Sequence, residues 1–321
     1  MKNIVVWGLG NHSIKNIIPV IHNSKSLNLY GICTRNRKVL DEKAKEYNCK
    51  RWESEELMLD DSNVEIVFLS TPIGLHAKQG MKILKSSKHL WCEKPFTSNI
   101  NDTKKLASYA DKNNLMIAEG FMYLYHPQFF EVKEIIQNQF PDGIISVNIS
   151  FGIPFLDKPG FRMNKNLDGG AFWDVGTYPI SAALSLFDGS SYEVLSSEIK
   201  FEKSFEIDIS GSAKILIEDK VEITLHWAIG ASYRNEIDVW GKNKSLYSDK
   251  FFSKPIDYIP KIEIRDKTGN IESKAINSAN HFELMLEDFS KSIDDKVLMH
   301  QKRNEIIARS VTFDKIRNSN S

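Results

Sequence analysis

The sequence predicts an α/β protein with a doubly wound parallel sheet first, followed by an α+β domain with a large, mostly antiparallel open sheet. Three observations predict this class. Strand-like apolar runs alternate with helical periodicity up to about residue 120. After about residue 190, segments in which apolar and polar residues alternate replace this alternation of strands and helices. The chain has 321 residues, enough for two hydrophobic cores.

The first part alternates strands with helices. Its predicted strands are the short β-branched runs Ile4–Trp7, Leu29–Cys33, Val64–Leu69, Leu90–Cys92 and Met116–Ala118. Its predicted helices carry apolar residues at i, i+3 and i+4 and are Ile14–Ile21, Lys38–Tyr47, Leu75–Lys85 and Asp102–Ala110. This alternation predicts βαβ units, and therefore a parallel sheet.

The second part has the pattern of antiparallel strands. Ala213–Ile217 and Val221–Trp227 predict a hairpin with one apolar face, and Ile237–Trp240 and Lys261–Asp266 repeat the alternation. Two closing helices are predicted, at 279–293 and 302–316. We place the domain boundary after residue 121, which gives domains of residues 1–121 and 122–321.

Composition excludes several classes of protein. The chain has 42 Lys and Arg residues and 42 Asp and Glu residues, so its formal net charge is zero. It therefore lacks the overall positive charge that is typical of a nucleic-acid-binding protein. No apolar run approaches the length of about 20 residues that a membrane span needs, and the short N-terminal run is not a signal peptide. Cys33, Cys49 and Cys92 show no CxxC spacing. We expect a cytoplasmic protein without a metal site or disulfides.

The first chemical motif is Gly8-Leu9-Gly10-Asn11-His12, which follows a strand and opens a helix, with Ser13 where a third glycine is usual. Glycines at this turn let backbone N–H groups approach a pyrophosphate, which the helix N-terminus favours. A plain strand-to-helix turn is the alternative. The position in the first βαβ unit favours a dinucleotide site.

Thr34 and Arg35 follow the second predicted strand directly, at the place where an NAD site would offer an acidic residue to the ribose. A guanidinium suits the additional phosphate of NADP, because it pairs through charge-assisted hydrogen bonds. A solvated basic loop is the alternative. We therefore predict NADP, with NAD as the second choice.

Polar residues follow the next two strands. Ser70-Thr71-Pro72 is followed by His76, and Glu93-Lys94-Pro95 comes after the strand that ends at Cys92. Ligands of open α/β sheets bind at the carboxyl ends of the strands. A lysine there can stabilise an alkoxide or favour the ionised form of a nearby phenol.

These motifs resemble, in their order, the Gfo/Idh/MocA oxidoreductase family. The resemblance includes Glu119–Tyr123 and Gly169–Tyr178, and it spans almost the whole chain. It implies a Rossmann domain followed by a domain for substrate binding and oligomerisation, assembled as a homodimer or homotetramer through its broad sheet. Tyrosine at 178, where many members have histidine, marks a subset that includes glucose-fructose oxidoreductase, dihydrodiol dehydrogenases and reductases of nucleotide-linked keto sugars.

The resemblance also implies the site. Its expected catalytic residues are Lys94, Asp174 and Tyr178. The expected cofactor-binding residues are Gly8, Leu9, Gly10, Asn11, His12, Thr34, Arg35, Ser70, Thr71, Pro72, His76, Glu93, Lys94 and Gly120. The expected substrate-binding residues are Phe121, Tyr123, Arg162, Asp174 and Tyr178.

The residue types support these roles. A phenol with a pKa of about 10 needs a nearby cation to act as a base at neutral pH, and Lys94 could supply it. If 174–178 is helical, Gly176 and Pro179 make the helix distorted. We predict an NADP-dependent enzyme that moves hydride to or from a carbohydrate, with a ketoreductase of a nucleotide-activated sugar as the first choice. The alternatives are a dehydrogenase of a free sugar or inositol, and a non-catalytic regulator that binds NADP.

Overall fold

The computed structural model describes residues 1–187, 191–202, 204–218 and 220–319, which fall into two compact units. The first unit contains Met1–Phe121 and Phe282–Ser310, and the second contains Met122–His281 and the chain from Val311 onward. The sequence places all of 122–321 in one domain, whereas residues 282–310 cluster with the first unit. Residues 188–190, 203, 219, 320 and 321 of that predicted domain lie outside the described residues.

The described part of the first unit contains a six-stranded sheet in which every neighbouring pair is parallel. Its strands are β1 (Lys2–Trp7), β2 (Leu27–Cys33), β3 (Lys50–Trp52), β4 (Ile66–Leu69), β5 (His89–Cys92) and β6 (Ile117–Glu119). They lie in the order β3-β2-β1-β4-β5-β6. This order confirms the doubly wound fold, and it reverses direction between β1 and β4, where open sheets of this kind bind ligands.

Helices connect these strands. A short π-helix, Ser13–Ile17, leads into α1 (Ile18–His22), and the others are α2 (Arg37–Tyr47), α3 (Glu55–Asp60), α4 (Ile73–Lys85) and α5 (Ile100–Lys112). Asn36 and Asn99 cap the N-termini of α2 and α5 through their side-chain oxygens. The strand β3 and the helix α3 are absent from the sequence prediction, because three and six residues are too few to show a period.

The second unit begins with the 3₁₀ turn Met122–Tyr125, followed by α6 (Pro127–Gln139) and the long strand β7 (Ile144–Ile153). Two further 3₁₀ turns, Gly160–Met163 and Lys165–Leu167, precede a π-helix at Phe172–Gly176 that continues into α7 (Thr177–Leu186). The distorted helix expected around Asp174 and Tyr178 is therefore present.

An eight-stranded sheet forms the body of the second unit within the described residues. Its remaining strands are β8 (Tyr192–Glu202), β9 (Ile207–Ile217), β10 (Val221–Ile229), β11 (Arg234–Gly241), β12 (Lys244–Asp249), β13 (Lys261–Asp266) and β14 (Ile271–Ala275). The order is β14-β13-β12-β11-β7-β10-β9-β8, antiparallel except that β7 and β10 run parallel. The predicted hairpin is present as β9 and β10, with Ile217 opposite Val221. The helix α7 packs against β7 and β10.

The closing helices are α8 (His281–Ser292) and α9 (Lys296–Asn318). Phe289 of α8 stacks on Trp91 of β5 with ring centroids 4.9 Å apart, and Arg309 of α9 donates from Nε to Glu119 Oε2 at 2.7 Å. These buried contacts explain why residues 282–310 belong to the first unit. No helix in the described part of the chain is both long and apolar enough to cross a bilayer.

Candidate active site

The predicted site residues fall on both units. In the first, the turn after β1 packs tightly on the end of β4. Gly8 has φ +104°, and a side chain there would overlap the backbone carbonyl of Ser70. The Gly8 amide donates to the Cys33 carbonyl at 2.9 Å, and the Ser70 amide donates to Trp7 at 2.8 Å. Only glycine satisfies both the positive φ and the close approach.

Gly10, two residues after Gly8, has neither a positive φ nor a close neighbour. It is exposed, its φ is ordinary, and a Cβ built on it would have no heavy atom within 4 Å. The apoprotein itself therefore gives no steric reason for glycine at this position. Open space beside the start of a helix is what a pyrophosphate-binding turn requires.

Ser13 replaces the usual third glycine, and its side chain closes the turn. The buried hydroxyl lies 2.8 Å from the carbonyl oxygen of Gly8 and 3.1 Å from that of Gly10. Ser13 also begins the π-helix, a conformation that often occurs at functional sites. The departure from the glycine fingerprint is thus accommodated by hydrogen bonds within the turn.

His12 connects this turn to the Glu93-Lys94-Pro95 segment. His12 Nδ1 lies 3.1 Å from Asn16 Nδ2, and its Nε2 donates to Glu93 Oε1, also at 3.1 Å. Burial acts to raise the pKa of Glu93, but the charges of His12 and Lys94 outweigh it, so the pKa lies below its ordinary value. Glu93 is therefore an anion at neutral pH, held in a fixed orientation.

His76 is buried between two segments of the predicted site. Its Nε2 lies 2.8 Å from the Thr71 carbonyl oxygen and its Nδ1 lies 3.0 Å from that of Pro95. Burial lowers the pKa of this imidazole below its ordinary value. His76 thus joins the ends of β4 and β5, and a direct contact with cofactor stays a prediction.

Thr34 and Arg35 stand at the end of β2, as predicted. The Thr34 hydroxyl accepts from the Asn36 amide at 3.4 Å, and Arg35 is exposed. Arg37 differs, because its Nε pairs with Glu53 Oε2 at 2.7 Å. Within the described residues Arg35 has no ion pair of this kind, so its charge is available to an anion.

Glu119, at the end of β6, was not predicted as a site residue. Its Oε1 accepts from the Phe96 amide at 2.7 Å, while Oε2 accepts from Arg309. It therefore fixes the backbone just beyond Lys94 and Pro95. Gly120 and the fully buried Phe121 follow directly, and the Arg309 guanidinium lies 5.5 Å from the Phe121 ring centroid.

In the second unit, Tyr178 lies near the start of α7 within a group of aromatic rings. The centroids of Phe151, Phe252 and Tyr123 are 5.1, 5.4 and 6.0 Å from its own. Its hydroxyl contacts Met122 Sδ at 3.7 Å. Tyr123 is fully buried, with its hydroxyl 2.7 Å from Ser181 Oγ, so it supports α7, and its contact with substrate stays a prediction.

Asp174 and Arg162 form a hydrogen-bonded ion pair. Arg162 donates from Nε to Asp174 Oδ2 at 2.6 Å, and the carboxylate is almost fully buried. Gly169 allows this approach, because a side chain there would collide with the carbonyl oxygens of Phe161 and Arg162. The sequence suggested Arg162 as a contact for substrate or cofactor, and the structure adds that it neutralises Asp174.

The structure therefore groups the predicted residues within each unit. The first unit contains three of these contacts, between Gly8 and Ser70, between His12 and Glu93, and between Thr71 and His76. The second unit contains the contact between Arg162 and Asp174. Sequence reasoning missed Asn16, which lies four residues from its partner His12, and Arg309, whose partner Glu119 is 190 residues away in the chain. Among the described residues there is no cluster of His, Cys, Asp and Glu arranged to hold a metal ion.

Two family models match the chain. The model described as the oxidoreductase family with an NAD-binding Rossmann fold matches residues 2–121, and the Gfo/Idh/MocA C-terminal domain matches residues 129–247. A curated relative, a dTDP-3,4-didehydro-2,6-dideoxy-α-D-glucose 3-reductase of Saccharopolyspora spinosa, is 24% identical over 297 residues, covering 90% of this chain and 87% of the relative.

Two solved structures share the fold over almost their whole length. KijD10, a 3-ketoreductase from Actinomadura kijaniata in complex with NADP and TDP-benzene, superimposes with a TM-score of 0.93 at 22% identity, covering 99% of this chain and 98% of that one. Aldose-aldose oxidoreductase from Caulobacter crescentus gives a TM-score of 0.84 at 18% identity, with coverage of 99% and 98%.

Further solved structures that share this fold are variants of KijD10 in which a tyrosine or a lysine is replaced. The family models, which cover both halves of the chain, confirm the resemblance that the motifs indicated. The chain belongs to the Gfo/Idh/MocA family of oxidoreductases.

Proposed function

We propose that this chain is an NADP-dependent ketoreductase of a nucleotide-activated sugar. The observation that carries the proposal is that one chain retains Lys94, Asp174 and Tyr178 in the family's motifs. Its relatives and structural neighbours include 3-ketoreductases of dTDP-sugars, among them one complexed with NADP.

The residues present fit the cofactor. The open space at Gly10 accommodates a pyrophosphate beside the start of a helix, and exposed Arg35 can pair with the additional phosphate of NADP. When bound, NADPH supplies the hydride for carbonyl reduction. Glu93 and Thr71 are held by His12 and Gln79, so their oxygens are oriented before any ligand arrives.

The residues of the protein would transfer the proton and stabilise the negative charge that develops on the substrate oxygen. In reduction the Tyr178 hydroxyl would give its proton to the carbonyl oxygen of the substrate, and in oxidation it would accept the hydroxyl proton. Lys94 would supply the positive charge that favours an ionised oxygen. Asp174, paired with Arg162, would accept hydrogen bonds from substrate without adding net negative charge.

Replacing Arg35 with serine tests the choice of cofactor. We expect KM for NADPH to rise about 10- to 100-fold, because a hydrogen bond to a charged group contributes about 1.5–3 kcal/mol. KM for NADH should change little. Arg37→Ser is the matched control, because Arg37 already pairs with Glu53. A larger loss for Arg37→Ser would move the phosphate site to that residue, and an Arg35 variant that retains its preference for NADPH would contradict the assignment.

A substrate panel tests the proposed reaction. Turnover with NADPH is measured against dTDP-linked keto sugars, against free keto sugars and, with NADP, against free aldoses and inositol. We expect the nucleotide-linked keto sugars to react with the highest kcat/KM. Activity only with free sugars would contradict the proposal and favour the dehydrogenase alternative, which the aldose-aldose oxidoreductase neighbour supports.

We also propose assembly through the outer face of the eight-stranded sheet, as a homodimer or homotetramer in the cytoplasm. This face exposes Trp240 and Tyr247, which line a depression of about 690 Å³ together with charged residues such as Arg265. Exposed aromatic side chains among charged ones are typical of interaction surfaces. Light scattering of the purified protein tests the assembly, and a monomer mass would contradict it.

A further inference from the structure

The segment that carries Asp174 and Tyr178 is anchored at its start by a glycine pair. Gly169 packs against the carbonyl oxygens of the turn that holds Arg162, and the Gly170 amide donates to the Arg162 carbonyl at 2.8 Å. Gly170 has φ +122°, and a side chain there would overlap Asp208 Oδ1. The glycine pair thus lies between two neighbours, the Arg162 turn and Asp208.

Asp208, on β9, reaches the first amides of the helical run. Its Oδ2 accepts from the Phe172 amide at 2.5 Å, and the Ala171 amide also faces the carboxylate. Phe172 begins the π-helix that contains Asp174 and continues into α7 with Tyr178. The carboxylate therefore satisfies amides that have no partner within the helix.

The electrostatics match this role. Burial raises the pKa of Asp208 above its ordinary value, and the Phe172 amide and the Arg317 guanidinium limit that rise because both favour the carboxylate. Arg317 lies over the Phe172 and Trp173 rings, 5.6 and 5.1 Å from their centroids. A buried carboxylate at a helix N-terminus also interacts favourably with the helix dipole.

We propose that Asp208 is a positioning residue for the reaction, which holds the start of the helical run so that Asp174 and Tyr178 keep their catalytic orientation. The role rests on the proposed function. Nothing in the motifs of the family resemblance singles out this aspartate; it follows from the Phe172 amide and the Gly170 contact. The orientation of a proton donor matters because a displacement of about 1 Å can cost about 10²-fold in rate.

Three variants test the proposal. Asp208→Ala removes the acceptor, Asp208→Ser keeps a small one, and Asp208→Asn keeps one oxygen but loses the charge. Asp295→Asn is the matched control, because Asp295 likewise accepts from the first amides of a helix, those of Val297 and Leu298, but at α9. Each variant is assayed with NADPH and a dTDP-linked keto sugar, and amide hydrogen exchange is measured for residues 171–178 in parallel.

We expect kcat to fall about 10²-fold for Asp208→Ala and less for Asp208→Asn, while KM for NADPH stays unchanged. Amides of residues 171–174 should exchange faster in Asp208→Ala and not in Asp295→Asn. In a Tyr178→Phe background the further loss on replacing Asp208 should be smaller than in the parent protein, because part of the effect acts through the tyrosine.

Several results would overturn the proposal: unchanged exchange at Phe172 in Asp208→Ala, a wild-type kcat in that variant, or a full additional loss in the Tyr178→Phe background. If Asp208→Ala does not fold, Asp208→Asn and Asp208→Ser give the same comparisons. The exchange measurement needs no substrate. It therefore separates a failure of this proposal from a failure of the proposed ketoreductase activity.

Discussion

Replacing Tyr178 with phenylalanine is expected to lower kcat by about 10²- to 10⁴-fold, the range that a general acid contributes. The substitution removes only the hydroxyl, and the ring keeps its packing on Phe151 and Phe252. Steady-state kinetics with NADPH and a dTDP-linked keto sugar measure the effect. Cofactor affinity should remain that of the parent protein, because the ring and the fold persist.

A matched control for this prediction is Tyr192→Phe. Tyr192 also belongs to the second unit, and its hydroxyl lies 2.6 Å from Thr312 Oγ1. We expect the control to keep its turnover and to lose about 1 kcal/mol of stability for the hydrogen bond. Undiminished turnover in Tyr178→Phe would show that another group donates the proton. If the parent protein binds NADPH and turns over no member of the substrate panel, the regulator alternative is favoured instead.

The two glycines of the first turn should respond to alanine in opposite ways. Gly8→Ala should destabilise the protein by about 3 kcal/mol or more, because a Cβ at φ +104° would overlap Ser70. Gly10→Ala should leave the apoprotein within about 0.5 kcal/mol of the parent, because the Cβ meets no atom. Its dissociation constant for NADPH should nevertheless rise at least about tenfold, since the methyl group would occupy the space for the pyrophosphate.

Thermal unfolding without cofactor and fluorescence titration with NADPH measure the two effects separately. Gly143→Ala controls for the positive φ, because Gly143 has φ +101° with no atom within 4 Å of its Cβ. The difference in the free energy of unfolding between Gly8→Ala and Gly143→Ala then measures the cost of the collision with Ser70. An unchanged NADPH affinity in Gly10→Ala would place the pyrophosphate elsewhere.

Much of the fold could be predicted because its periodicities are local. The apolar runs at β1, β4 and β5 and the helical spacing at α4 and α5 follow from residues adjacent in sequence. The strand β7 was not predicted, although it is central in the second sheet and pairs with both β10 and β11. Its neighbours lie about 80 residues away in the chain, so its partners are decided by the tertiary fold.

The site divides in the same way. From the sequence, the glycine turn and the Glu93-Lys94-Pro95 segment could be predicted as site residues, because motifs at strand ends and helix starts are contiguous in the chain. The prediction for Asp174 and Tyr178 came from the family resemblance, and all these roles stay predictions. Only the tertiary structure decided that Arg162 neutralises Asp174, that His12 holds Glu93 and that Asp208 anchors the Phe172 amide. The physical reason is that a buried charge or amide must find its partner wherever the fold brings one within hydrogen-bonding distance, and sequence spacing does not record that distance.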